Sequence, residues 1–402
     1  MRKYAVEQFL KKIPLVRFLW DMHKYLKTGN TSYCLKYLPI SRKKVVFDNF
    51  FGKGYGENPK YIAEEINRQG LKWDMVWLLK DMSYELPPYL RAVQYGSEQA
   101  KYELATAKVV VNNVRNSMRV KKKKGQIYLQ TWHGGIGYKQ VERAVEKKLS
   151  LSYVQAAKRD GAECDAIISA CAYQTEDFTQ NFWLDRNAEI LEIGQPRCDA
   201  LFKANNSEIE KKVRTALQIP ATIKIVLYAP TFRDDGSFEG YTLDYKRVIK
   251  AFEQHYGQPC VLVVRLHPNA YKLQELISYD DKILNGSKYP DIQELYHAAS
   301  VLITDYSSTA FDFALLEKPI FICALDFEKY IKLRGEMTDI YHMSPFPKSY
   351  TNEELIDTIH NFSEEEYKDA LKRFREDVWK PYDSGHASEK TVNWLKNQMR
   401  MR

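Results

Sequence analysis

Two histidines, two arginines and one hydroxyl-rich turn each follow a short apolar run, and their side chains suit phosphoryl chemistry. His133 follows QIYLQTW, Arg197 follows ILEIGQP, Arg233 follows IVLYAPTF, His267 follows VLVVRL, and Asp305, Ser307, Ser308 and Thr309 follow VLIT. An imidazole ordinarily titrates near pH ~6.5, so His133 is a candidate to take a proton from an attacking hydroxyl. Gly134 and Gly135 behind it let a ligand approach the backbone and leave the ring uncovered. His267 is suited to donating hydrogen bonds to a diphosphate. Arg197 and Arg233, on loops after proline, suit two-pronged contact with phosphate oxygens. Ser307, Ser308 and Thr309 gather hydroxyls and backbone N–H groups at a strand-to-helix turn, where the helix dipole also favours phosphate. Each residue has a plainer reading as well. The serines could merely cap a helix, His133 could hydrogen-bond within the sheet wall, and Arg233 could pair with Asp234 or Asp235. Those two acids and the pair Asp280 and Asp281 have no His or third acid at ligand spacing, so neither a metal nor a cofactor is expected.

Ligands of open parallel sheets bind at the carboxyl ends of the strands, so the elements carrying these residues matter next. Apolar, β-branched runs at 44–47, 73–79, 108–114, 127–131, 165–169 and 189–193 alternate with helical stretches, and the pattern restarts with 224–228, 261–266, 301–304 and 320–323. That alternation predicts an α/β fold of two Rossmann-like domains facing each other across a cleft. The divisions are 1–40, a basic amphipathic segment; 41–205, the first lobe; and 206–402, the second lobe with a helical tail. Five polar sites at strand ends of two lobes then converge on one crevice.

At 402 residues the chain exceeds a single core, which agrees with two domains. Its net charge of +8 favours anionic partners. The basic residues are spread along the chain rather than gathered in a stripe, which argues against nucleic acid. Six scattered cysteines without a CxxC pair read as free thiols of a reducing compartment. No run approaches the roughly 18 apolar residues of a membrane span, and charges interrupt Met1–Trp20, so no secretory signal is expected. Phe9, Leu10, Phe18, Leu19 and Trp20, interleaved with Lys11, Lys12, Arg17 and Lys24, instead suit the surface of an anionic membrane. These features place the chain peripherally on the cytoplasmic face.

Taken together, QTWHG, GQPRCD, LYAPTFRD, RLHP and VLITDYSSTAFDFALLEKPIF resemble the CDP-glycerol glycerophosphotransferases, the teichoic-acid primases and polymerases with their capsule relatives. The resemblance runs from about residue 40 to about residue 385, with the motifs in the family's order. It implies a glycosyltransferase-B-like architecture. It also implies transfer of an alditol phosphate from CDP-glycerol or CDP-ribitol to a hydroxyl of a lipid-linked glycan or polymer acceptor, with release of CMP. The alternative on the same fold is a sugar-nucleotide-dependent glycosyltransferase. By this resemblance His133 is the base, His267 and Arg233 meet the diphosphate, and Ser307 and Ser308 seat phosphate. Asp312 and Glu317 match acids of the family's FDF-x-LLEKP stretch, Glu317 near the cytidine ribose. The loop Gly135-Ile136-Gly137-Tyr138-Lys139 departs from the usual Pro-Leu-Lys on the acceptor side.

Overall fold

The computed structural model describes residues 13–28, 33–116, 120–203, 206–233 and 235–401. Seven parallel strands form the first sheet: β1 (Ser41–Asp48), β2 (Asp74–Leu79), β3 (Arg91–Gln94), β4 (Ala107–Asn112), β5 (Ile127–Gln130), β6 (Ala166–Ser169) and β7 (Glu189–Glu192). They lie in the order β3-β2-β1-β4-β5-β6-β7. Six more form the second: β8 (Lys224–Tyr228), β9 (Cys260–Val264), β10 (Ile283–Asn285), β11 (Val301–Thr304), β12 (Ile320–Cys323) and β13 (Lys348–Ser349), ordered β10-β9-β8-β11-β12-β13. Central strands are apolar along their length because helices cover both faces, as in βαβ sheets. Strand order reverses between β1 and β4, and again between β8 and β11, the switch points at which such sheets open a crevice. In register, Val46 pairs with both Val76 and Val110, and Val226 with both Leu262 and Val301.

Three short strands, β3, β10 and β13, lie outside the apolar runs read from the sequence. All three are at or next to a sheet edge, where little of the strand is buried and the alternation signal is weak. The lobes meet over a continuous apolar core in which Ile136 and Tyr138 of the first lobe pack with Phe311 and Tyr341 of the second. Polar ties reinforce that contact: Lys60 Nζ and Tyr61 Oη reach Asp291 Oδ2 at 2.5 and 2.8 Å.

The division at 206–402 needs one correction. The helix Ala387–Met401 returns to the first lobe, where Val392 and Leu395 join Val45, Ile62 and Ile66 in one core. Its apolar stripe announces burial, but sequence spacing does not say against which lobe.

Of the segment 1–40, residues 1–12 and 29–32 lie outside the described residues. A helix spans Pro14–Thr28, with proline tolerated in its first turn. Leu15, Leu19 and Leu26 are exposed, while Asp21 is buried and accepts from Arg17 and Tyr37. None of the described helices is long and apolar enough to cross a membrane.

Candidate active site

His133 owes its placement to the turn that follows β5. Thr131 N donates to Asn112 O at 2.8 Å, and Trp132 then adopts a left-handed φ of 52°. This reverses the chain and brings His133 to the strand ends. Its Nδ1 lies 2.8 Å from Asn113 O. A carbonyl only accepts, so Nδ1 carries the proton and Nε2 keeps a lone pair. The rings of Phe50 and Trp132 flank it at 5.3 and 4.4 Å. Burial, with the positive charges of Arg197 and Arg115, lowers its pKa to about 4. The imidazole is therefore neutral at physiological pH, the form a general base requires.

Across the gap, Arg265, Leu266 and His267 leave the end of β9. The His267 ring stacks on Phe232 at 4.7 Å. Burial and the charges of Lys139, Lys53 and His133 lower its pKa to about 4. After β11, Ser307 Oγ donates to Thr309 Oγ1 at 2.9 Å and accepts from Thr309 N at 3.2 Å, closing a tight turn. Ser308 occupies the helix-capping position yet its side chain makes no capping bond. The two walls nearly touch at one point: a Cβ on Gly134 would stand 3.2 Å from Ser308 Oγ. The Gly134 and Gly135 carbonyls accept from Gln174 Nε2, which holds that backbone in place. A cavity of about 1000 Å³ separates the lobes, and His133, Gly134, Arg197, His267, Ser307, Ser308, Thr309 and Asp312 all line it.

The other expected residues sit elsewhere or are otherwise engaged. Arg197 lines the cleft but is not available for phosphate. Its Nε and Nη2 grip Asp312 at 2.8 and 3.1 Å, and Nη1 reaches Glu57 at 3.1 Å. Arg233 is buried outside the cavity lining, with Nε and Nη2 on Asp326 at 2.6 and 2.8 Å and Nη2 also on Asp305 at 2.8 Å. Two carboxylates saturate its fork, so phosphate contact there is corrected to a structural triad. Of the two acids that follow it in sequence, Asp235 pairs with Lys329, and Asp234 lies outside the described residues. Asp305 is likewise internal, its Oδ1 accepting from Thr231 N at 2.8 Å and from Tyr306 N. Glu317 is the plainest correction. It follows the helix Thr309–Ala314, whose first residue faces the cleft, so it emerges at the far end and pairs with Arg375 at 2.6 Å on the surface. No cluster of His, Cys, Asp or Glu able to hold a metal occurs among the described residues.

Sequence reasoning passed over several lining residues. Lys53 and Lys139 bring positive charge to the cleft. Lys139 forms a backbone bridge with Met337, so the unusual 135–139 loop ties the lobes together. Glu57 also lines the cleft, with a strained φ of 56°. The Gly-rich stretch 52–56 ahead of Asn58-Pro59-Lys60 was the available signal, since a helix beginning at a strand end opens toward the ligand side.

Two facing doubly wound lobes with the cavity between their strand ends define a glycosyltransferase-B-like architecture. A family model described as CDP-glycerol:poly(glycerophosphate) glycerophosphotransferase matches residues 31–397, and the chain belongs to that family. It is 32% identical over 368 residues to the teichoic acid poly(glycerol phosphate) polymerase of Bacillus subtilis, covering 89% of this chain and 49% of that protein. It thus spans about half the length of that relative. A teichoic acid glycerol-phosphate transferase of Staphylococcus aureus is 32% identical over 337 residues, covering 81% of this chain and 85% of that one. Among solved structures, the wall teichoic acid polymerase TagF superposes with a TM-score of 0.83 at 27% identity, covering 96% of this chain and 98% of that one. A variant of that polymerase has also been solved after a soak with CDPG, at a TM-score of 0.79 and 26% identity, covering 98% of each chain.

Proposed function

We propose that this chain transfers glycerol phosphate from CDP-glycerol to a hydroxyl of a lipid-linked or polymer acceptor in teichoic acid or capsule synthesis, releasing CMP. One observation carries the reading. His133, neutral and with Nε2 unbonded, shares a cleft with the Ser307–Thr309 turn in a chain of the CDP-glycerol family. The acceptor O–H gives its proton to His133 Nε2 as its oxygen attacks the phosphorus bearing glycerol. The bond from that phosphorus to the bridging oxygen breaks, and CMP leaves with the electron pair. Ser308 and His267 hydrogen-bond the diphosphate, and the positive charges of Lys53 and Lys139 stabilise the negative charge that accumulates there. A bound diphosphate in turn favours imidazolium at both histidines, which raises the basicity of His133 when the donor is in place.

The reaction belongs at the cytoplasmic face of a membrane. The helix Pro14–Thr28 exposes Leu15, Phe18, Leu19 and Leu26 beside Arg17, Lys24 and Lys27, a composition suited to anionic lipid. Incubating the purified protein with CDP-glycerol, CDP-ribitol and a panel of UDP- and GDP-sugars over lipid-linked acceptors tests the proposal. CMP release from CDP-glycerol supports it. Turnover confined to sugar nucleotides would establish the glycosyltransferase alternative instead.

A further inference from the structure

Asn58 makes four side-chain hydrogen bonds beneath the cleft, and nothing in the reaction as written uses it. It is the second residue of the helix Glu57–Arg68 and is fully buried. Its Nδ2 donates to Thr131 O at 3.2 Å, Trp132 O at 3.2 Å and Gln195 Oε1 at 2.5 Å, while its Oδ1 accepts from Arg197 N at 3.1 Å. Three acceptors share the two N–H groups at one end of the amide, the neighbouring Thr131 and Trp132 carbonyls dividing one of them, and a backbone N–H faces the other end, so only this orientation places donors against acceptors.

These partners belong to two different functional pieces. Thr131 and Trp132 form the reversed turn immediately before His133, and Trp132 holds a left-handed φ of 52°. A bulky residue in that region is strained and persists only where its surroundings enforce it. Asn58 grips the carbonyls on both sides of that residue's amide nitrogen. Gln195 ends the loop after β7, and Arg197 sits in the short 3-10 helix Pro196–Phe202 that follows and spans the lobes to Asp312. That loop is pinned a second time, because Gln195 N donates to Asp383 Oδ1 at 2.7 Å.

We propose that Asn58 is a positioning residue that aims the His133 imidazole and couples its turn to the inter-lobe tie through Arg197. This rests on the reading of His133 as the base. Asparagine meets the requirement because it offers two donors and an acceptor on one short, rigid stem. Aspartate keeps the acceptor but cannot donate to the two carbonyls, and alanine does neither.

The test compares Asn58→Asp and Asn58→Ala with the parent in two arms. In the first, kcat and KM for CDP-glycerol are measured. Both variants should lose about 100-fold in kcat, the scale of an ångström-sized misplacement, with KM changed less than about threefold. In the second, the His133 ring is titrated by NMR without substrate. His133 faces Arg197, Arg115 and His267. Release of its turn in Asn58→Ala should admit water and move the titration from about pH 4 toward the ordinary imidazole value. A variant with unchanged kcat overturns the proposal. So does a kcat loss that merely follows a fall in Tm while the His133 titration stays put. A parent protein that releases no CMP refutes the proposed reaction, whereas the NMR arm still decides the positioning role.

Discussion

Arg197 of the first lobe and Asp312 of the second form a two-pronged ion pair across the cleft, with Nε–Oδ2 at 2.8 Å and Nη2–Oδ1 at 3.1 Å. Both side chains are almost inaccessible to water. The pair ties the two walls that carry His133 and Ser308, and carboxylates occupy the Arg197 fork. Removing one partner of a buried pair costs about 3–5 kcal/mol, because the other charge is stranded. Asp312→Ala should therefore lower the free energy of unfolding by about that amount, read from urea titration. Replacing both at once, as Arg197→Met with Asp312→Leu, should recover part of the loss.

Arg233 gives a parallel expectation. Asp305 and Asp326 both depend on its guanidinium, and its ring neighbours Tyr306 and Tyr330 stack at 3.7 Å beside it. Arg233→Ala leaves two buried carboxylates facing each other and should destabilise the second lobe by about 3–5 kcal/mol. Arg233→Lys, which cannot bridge both acids with one planar fork, should also fall short of parent stability. A purified Arg233→Ala protein with unchanged Tm but greatly raised donor KM would restore the phosphate-binding role.

Acid should act on both histidines in a defined direction. Their folded-state pKa values of about 4 lie below the ordinary 6.5, so the unfolded chain binds more protons between those limits. Each contribution to stability is fully present above pH ~6.5 and is lost as pH falls through about 4. In pH-jump assays the acidic limb of kcat/KM, which reports the free enzyme, should lie near 4. That of kcat should lie higher, because the bound diphosphate favours imidazolium. A kcat/KM limb at 6.5 would mean that His133 is solvated in the free protein.

Gly134 and Ser308 test the narrow point between the walls. A methyl at 134 would sit 3.2 Å from Ser308 Oγ and 3.6 Å from its Cβ, so the serine must shift. Gly134→Ala should raise KM for the donor about tenfold, equivalent to roughly 1.4 kcal/mol. Ser308→Ala should leave Tm unchanged, since its hydroxyl makes no capping bond. Equal KM values for Gly134→Ala and parent would separate this turn from the donor.

The alternation of apolar runs with helical stretches made the two lobes legible, because parallel strands buried on both faces carry their signature locally. KIVLY and VLIT read as strands without help from any distant residue. Strand ends likewise pointed to His133, His267 and Ser307–Thr309. Partner choice was not legible. Arg197 meets an acid 115 positions away, and Arg233 meets one 93 positions away, and a planar fork suits carboxylate as well as phosphate. Glu317 misled for a geometric reason: motif proximity to Ser308 hides the fact that an intervening helix carries the chain away from the cleft. Asn58 left only a faint trace, since one buried amide has no periodicity to betray it.

The proposed transfer requires His133 to act as base toward CDP-glycerol. The direct measurement is CMP release from CDP-glycerol over a lipid-linked acceptor by the parent and by His133→Ala, with circular dichroism confirming the fold of both. The parent should turn over and the variant should show no acceptor-dependent release. Near-parental turnover by His133→Ala would contradict the mechanism.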